Sequence, residues 1–176
     1  GENARILAAK GITIGYLRQD PHFNPTDNVL EAALDSSNKE IQAIKELELA
    51  TIFGNQKKIQ VAIELVDDLK AWDIEARIKE VLGKLKIHDL KQNVTSLSGG
   101  QQKRLALAKL LIDEPEFLIL DEPTNHLDIE MIEWLENYLS VRSMTLFMVT
   151  HDRYFLERVC NEIIELDNGR IFSYKG

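Results

Sequence analysis

The sequence predicts an α/β fold, because residues 97–176 alternate between helical patterns and short apolar strands, while residues 28–96 are helical in pattern throughout. Phe117-Leu118-Ile119-Leu120 and the run from Met144 to Val149 are continuously apolar, the pattern of parallel strands buried on both faces. Between them, Ile129 to Tyr138 carries the broad apolar face of a helix, and strand, helix, strand is the order of a right-handed crossover.

The remaining elements follow from local signals. Ile12 to Arg18 reads as a strand after a Lys10-Gly11 turn, and Pro21 to Asp27 as a loop. Asn28 and Glu31 have capping-box spacing ahead of an apolar stripe of Val29, Leu30, Ala33 and Leu34. Ile41, Ile44 and Leu47 repeat at helical spacing; after a break at Gly54-Asn55, so do Ile59, Ile63, Val66 and Leu69, which gives a helical hairpin. Asp73 is expected to cap the next helix, whose apolar face is Ile74, Ile78, Val81, Leu82 and Leu85. Ile163 to Leu166 and Arg170 to Tyr174 flank Asp167-Asn168-Gly169 and predict a closing β-hairpin.

With 176 residues, 44% of them hydrophobic, the chain can bury a substantial core. No apolar run approaches the roughly 18 residues of a membrane span, and nothing resembles an export signal. Cys160, the single cysteine, cannot form an internal disulfide and is expected to be a buried structural thiol in an apolar helix, which fits a reducing cytoplasm. The net charge of -8 argues against a nucleic-acid footprint over the whole domain and leaves a local basic patch open. Most of the acidic excess lies in residues 97–176, with the candidate metal-binding carboxylates.

Four short motifs carry chemistry. In Leu97-Ser98-Gly99-Gly100-Gln101, Ser98 and Gln101 have capping-box spacing, which leaves the two glycines unexplained. Glycine in a helical turn costs about 1 kcal/mol, so a close approach to the backbone is expected, and a phosphate suits a helix N-terminus. Asp121 and Glu122 end the apolar strand at 117–120; the first suits Mg²⁺, the second a proton from an attacking water, and two solvated acids remain the plain alternative. His151, in Thr150-His151-Asp152-Arg153, and Gln19 end the other two strands, at the sheet edge where α/β proteins bind ligands; a structural histidine and a glutamine without chemistry are the plain alternatives.

The order Gln19, Leu97-Ser98-Gly99-Gly100-Gln101, Asp121-Glu122, Asn125-His126-Leu127-Asp128, His151 resembles the Q-loop, signature, Walker B, D-loop and switch histidine of the ATP-binding cassette family. Glu122 to Asp128 and Thr150 to Leu156 are similar to its ABC-F branch, soluble tandem-cassette proteins that act at the ribosome or in antibiotic resistance. Ala71-Trp72-Asp73 with Glu75, Arg77 and Ile78 resembles the helical subdomain of the first cassette, and the hairpin from Lys39 to Lys70 takes the place of a short "arm". An ordinary amphipathic helix pair is the other reading of that hairpin.

The resemblance implies a P-loop NTPase-like, three-layer core with an α-helical subdomain: one partial cassette over residues 1–176, with the subdomain at 28–96 and the signature helix and catalytic core at 97–176. It implies ATP and Mg²⁺ as cofactors. Asp121 would help hold Mg²⁺, Glu122 would polarise the attacking water, His151 would contact the γ-phosphate of ATP, and Gln19, also at the ATP site, would sense Mg²⁺ and the attacking water. Ser98, Gly99, Gly100 and Gln101 would contact ATP on an opposing cassette, with Asp128 at the same interface. A second cassette, the ribosome and tRNA are the implied partners, in the cytoplasm and without a membrane.

One part of the family pattern is missing. A Walker A loop needs Gly, four residues, then Gly-Lys and a hydroxyl residue, so that its amides wrap the phosphates. The only Gly-Lys here, Gly83-Lys84, has Ile78 in place of the first glycine and is followed by Leu85. Gly1-Glu2-Asn3 resembles the opening of such a loop, and the loop itself is absent, so these 176 residues are expected not to hydrolyse ATP alone. Without it, the edge of the strand at 144–149, which has neither charge nor proline, is expected to self-associate or to be covered by Glu2 to Lys10. A transporter ATPase subunit and a non-hydrolysing interaction module remain as alternative functions.

Overall fold

The computed structural model describes residues 10–175. A parallel sheet has the order β1 (Ile14–Leu17), β2 (Phe117–Asp121), β3 (Thr145–Val149). Ile14 is level with Phe117, and Phe117 with Thr145; β1 ends at Leu17, opposite Leu120, and β2 and β3 end one residue further on, with Asp121 opposite Val149. Thr13 and Glu116 set this register: the Thr13 amide donates to Glu116 Oε2 at 3.1 Å and the Glu116 amide to Thr13 Oγ1 at 3.0 Å. Gly15 is required where β1 crosses the turn into β2, because a Cβ there would fall 2.7 Å from Pro115 Cγ.

Among the described residues, six helices precede or interleave with these strands, and a seventh follows them: α1 (Val29–Ala33), α2 (Lys39–Ile52), α3 (Gln56–Leu69), α4 (Trp72–Lys84), α5 (Gly99–Asp113), α6 (Ile129–Ser140) and α7 (Arg153–Val159). A short 3₁₀ turn, Val94–Ser96, leads into α5. The capping boxes at Asn28/Glu31 and Ser98/Gln101 form as their spacing predicts, and Asn38 and Asn55 cap the two helices of the hairpin. One apolar core runs from Leu30 and Ile44 through Leu107 and Leu111 of α5 to Leu118, Leu120 and Leu135, so α5 joins the helical part to the sheet. The closing hairpin, β4 (Glu162–Asp167) with β5 (Arg170–Lys175), turns through Asn168 and Gly169, both at positive φ, as a two-residue loop of this kind demands.

The structure corrects several expectations. The strand expected over 12–18 narrows to Ile14–Leu17. Ala71, not Asp73, occupies the N-cap of α4; Lys70 closes α3 in the left-handed region and the chain re-enters a helix at once, leaving Asp73 in the first turn, where its charge favours the helix dipole. The strand at 144–149 is not buried on both faces. Leu118 and Leu120 are fully buried beneath the helices, whereas Ile14, Tyr16, Phe147 and Val149 point the other way and are 48–52% exposed, because among the described residues no helix covers that face. β3 pairs with β2 alone among the described residues, and the segment Glu2 to Lys10 expected to cover its other edge lies almost wholly outside them. Cys160 is the C-cap of α7, half-buried and extended, rather than a helix-interior residue; burial raises its thiol pKa. No helix among the described residues is long and apolar enough to cross a membrane.

Candidate functional site

Because the three parallel strands end within one residue of one another, the residues that follow them meet. Gln19 lies two residues beyond β1, and its Nε2 donates to Asp121 Oδ2 at 2.9 Å, at the end of β2. Glu122 leaves the strand in the left-handed region, φ 49°, and its amide donates to Val149 O of β3 at 2.7 Å. That bend turns its carboxylate toward the end of β3, where Oε2 accepts from Thr150 Oγ1 at 3.2 Å and Oε1 lies 3.4 Å from His151 Nε2. Glu122 is 19% exposed and His151 fully exposed, so the acid is sheltered and the imidazole stands at the rim. Beside them a cavity of about 310 Å³ is lined by Gln19, Asp20, Lys103, Arg104, Asp121 and Glu122, which mixes two cations with the acids and gives an anion and a cation each something to meet.

The signature residues form a second, separate group. Ser98 Oγ accepts from the Gln101 amide at 3.3 Å and Gln101 Oε1 from the Ser98 amide at 2.8 Å, which completes the box and leaves the amides of the first turn, at Gly99 and Gly100, without intrahelical partners. A Cβ on Gly99 would meet nothing within 4 Å, and one on Gly100 would touch only the His126 side chain, at 3.4 Å. Among the described residues, the nearest approach to either glycine is thus an ordinary contact with His126. Asp128 caps α6 through the Met131 amide at 3.0 Å, and its Oδ2 accepts from Lys86 Nζ at 2.7 Å; the lysine holds its carboxyl below the ordinary range. Among the described hydrogen bonds and ion pairs, none joins this group to Asp121, Glu122 or His151.

Thus Gln19, Asp121, Glu122 and His151 come together, while Ser98, Gly99, Gly100, Gln101 and Asp128 do not join them. Sequence reasoning missed Thr150 and Lys86. The signal for Thr150 was present, a hydroxyl residue ending a buried strand beside the histidine; Lys86, at φ 55° after α4, gave none, since its partner stands far along the chain.

The family profile described as ABC transporter matches residues 3–125. The uncharacterized ABC transporter ATP-binding protein YfmR of Bacillus subtilis is 42% identical over 183 aligned residues, covering 99% of this chain and 29% of that protein. The energy-dependent translational throttle protein EttA of Mycobacterium tuberculosis is 36% identical over 184 residues, 99% of this chain and 32% of its own length, and EttA of Escherichia coli K12 is 34% identical over 177 residues, 94% and 31%. The chain thus spans about three tenths of the length of these relatives. Among solved structures, the ATP-binding subunit of an ABC transporter superposes with a TM-score of 0.63 at 19% identity, covering 93% of this chain and 59% of that one. A dimeric ATP-binding cassette in a post-hydrolysis state with ADP and Pi gives 0.57 at 22%, covering 93% and 63%. Such likenesses fix the fold as that of a cassette, and the EttA relatives agree with the ABC-F motifs. With a profile matched over most of its length and this fold, the chain belongs to the ABC transporter family of ATP-binding cassettes.

Proposed function

We propose that this cassette binds and hydrolyses ATP as one of a facing pair within a longer ABC-F protein, and that the protein acts on the ribosome, with tRNA among its contacts. The observation that carries the reading is the convergence of Gln19, Asp121, Glu122 and His151 at the ends of three parallel strands, with Gln19 2.9 Å from Asp121 and Glu122 3.4 Å from His151. Glu122 is the general base toward the attacking water, sheltered enough to hold a fixed orientation. His151 at the rim contacts the γ-phosphate, and Gln19 links it to the metal side.

Mg²⁺ fits the donors present. It keeps several waters and takes one or two carboxylates together with substrate phosphates, so Asp121 with the Gln19 amide oxygen is a sufficient protein share. When bound, it supplies positive charge beside the phosphate oxygens.

The free amides of Gly99 and Gly100, with the Ser98–Gln101 box, support the pairing: they make an anion-binding helix end without a ligand-bearing neighbour among the described residues. They serve the nucleotide of the opposing cassette, and Asp128 lies in the contact between the two. We divide the chain into a helical subdomain at 28–96, with its arm-like hairpin, and a catalytic part at 97–176. On this reading the 176 residues alone, having no Walker A loop, do not turn ATP over. The relatives named for a translational throttle favour the ribosome over a transporter as the site of action. In the full-length protein, ATPase activity stimulated by ribosomes, and ATP-dependent sedimentation with them, is the expected result; the same turnover with and without ribosomes, and no co-sedimentation, would overturn the ribosomal assignment.

A further inference from the structure

We propose that Thr150 is the positioning residue for Glu122, holding one carboxylate oxygen so that the other is presented to the attacking water; the inference rests on the reading of Glu122 as general base. A threonine hydroxyl has one hydrogen and two lone pairs. Here the Asp152 amide donates to Thr150 Oγ1 at 3.1 Å, so that side of the hydroxyl acts as acceptor, and its single hydrogen is free for Glu122 Oε2 at 3.2 Å. The direction of the bond is therefore fixed by the backbone and does not depend on the state of a second side chain.

The anchor behind Thr150 is firm. Asp152 caps α7, its Oδ1 accepting from the Phe155 amide at 3.1 Å, and Phe155 is fully buried. A continuous path thus runs from the core through the α7 cap and the Asp152 amide to the Thr150 hydroxyl and the Glu122 carboxylate. Glu122 needs such a hold. Its φ of 49° is one that side-chain-bearing residues rarely adopt, and it persists only where surroundings fix it, here through its amide on Val149 O at 2.7 Å and its carboxylate on Thr150. With Oε2 engaged, Oε1 remains for the water, on the side where His151 Nε2 stands 3.4 Å away.

The test compares Thr150→Val, Thr150→Ser, Glu122→Gln and the double variant Thr150→Val/Glu122→Gln in the full-length protein, by steady-state ATPase kinetics alongside nucleotide binding and thermal unfolding. Thr150→Val keeps the shape and removes the hydroxyl; kcat should fall roughly tenfold to a hundredfold, as misplacement of a working group does, while KM for ATP stays within about twofold. Thr150→Ser should restore kcat to within about threefold of the parent. The double variant should be no slower than Glu122→Gln, because Thr150 acts through Glu122. If Thr150→Val does not fold, Thr150→Ala takes its place in each comparison. Parental kcat in a folded Thr150→Val beside an impaired Glu122→Gln would overturn the positioning role and leave Glu122 standing. A change in KM alone, or losses that multiply in the double variant, would also overturn it. Full activity of Glu122→Gln would remove the general-base reading and this inference with it.

Discussion

The Glu122 end of the sheet and the Ser98 turn at the start of α5 are built on opposite plans. At the sheet end the polar groups are tied to one another across three strands: Gln19 to Asp121, Glu122 to Thr150 and to the Val149 carbonyl. At the turn, Ser98 and Gln101 satisfy only each other, and two glycines present bare backbone. On the proposed reading, one half of the chemistry is assembled within the chain, and the other is left open at a helix end that favours an anion. On that reading, a facing pair would bring the finished half of one chain to the unfinished half of the other.

The largest effect that would break this comparison is expected at Glu122. Glu122→Gln keeps the shape and an acceptor toward Thr150 while removing the base, so ATP binding should persist and turnover should fall by roughly 10² to 10⁴. Turnover within a factor of two of the parent would mean that the assembled half is not where the chemistry happens.

At the open half, stability and activity should move in opposite directions. The alanine Cβ would find open space at 99 and ordinary contact with His126 at 100, so Gly99→Ala and Gly100→Ala should be neutral or stabilising by up to about 1 kcal/mol. If phosphates of an opposing nucleotide approach these amides, the same methyl groups should cost turnover, at most the roughly 10² of a lost anion-binding donor. Unfolding midpoints and ATPase rates of the full-length variants decide it; unchanged rates would show that the glycines serve some purpose other than a close ligand.

The contrast also explains what the sequence reveals and what it hides. Local devices are legible: the Ser98/Gln101 and Asn28/Glu31 boxes, the Asn168-Gly169 turn and the strand at 117–121 all depend on residues a few positions apart. The meeting of Gln19 with Asp121 is legible only through the order of family motifs, because the pair is 102 residues apart. Apolarity alone misjudges the strand at 145–149, since a run of apolar residues is the same whether one face or two are covered, and Phe147 and Val149 prove half-exposed. Thr150 and Lys86 are hidden for a related reason: a hydroxyl or an ammonium acquires its meaning from partners that only the register of β3 and the turn after α4 bring near.

A smaller effect should appear at the other end of α5, where the signature helix is fastened. Glu114 closes that helix at φ 47°, and its carboxylate is paired with Arg77 of α4 and with Arg142 after α6. Arg142 in turn lies over the Tyr138 ring, 4.5 Å from its centre, and the Tyr138 hydroxyl donates to Leu111 O at 2.9 Å. The cluster therefore ties α4 and α6 to the C-terminal turn of the helix whose other end is open. Arg77 is only 17% exposed, its Nε has no partner among the described residues, and without Glu114 it would keep, among them, just the bond from Nη2 to Ile112 O. Glu114→Ala should accordingly destabilise by about 1–3 kcal/mol, the cost of leaving a sheltered cation short of its counter-charge. Glu114→Gly loses the same carboxylate but suits the left-handed helix end, so it should recover up to about 1 kcal/mol of that loss. Denaturant unfolding of both variants in the full-length protein separates the two contributions. If Glu114→Ala unfolded at the parental midpoint, the cluster would not fasten the signature helix; if Glu114→Gly were no more stable than Glu114→Ala, the backbone at 114 would carry no strain.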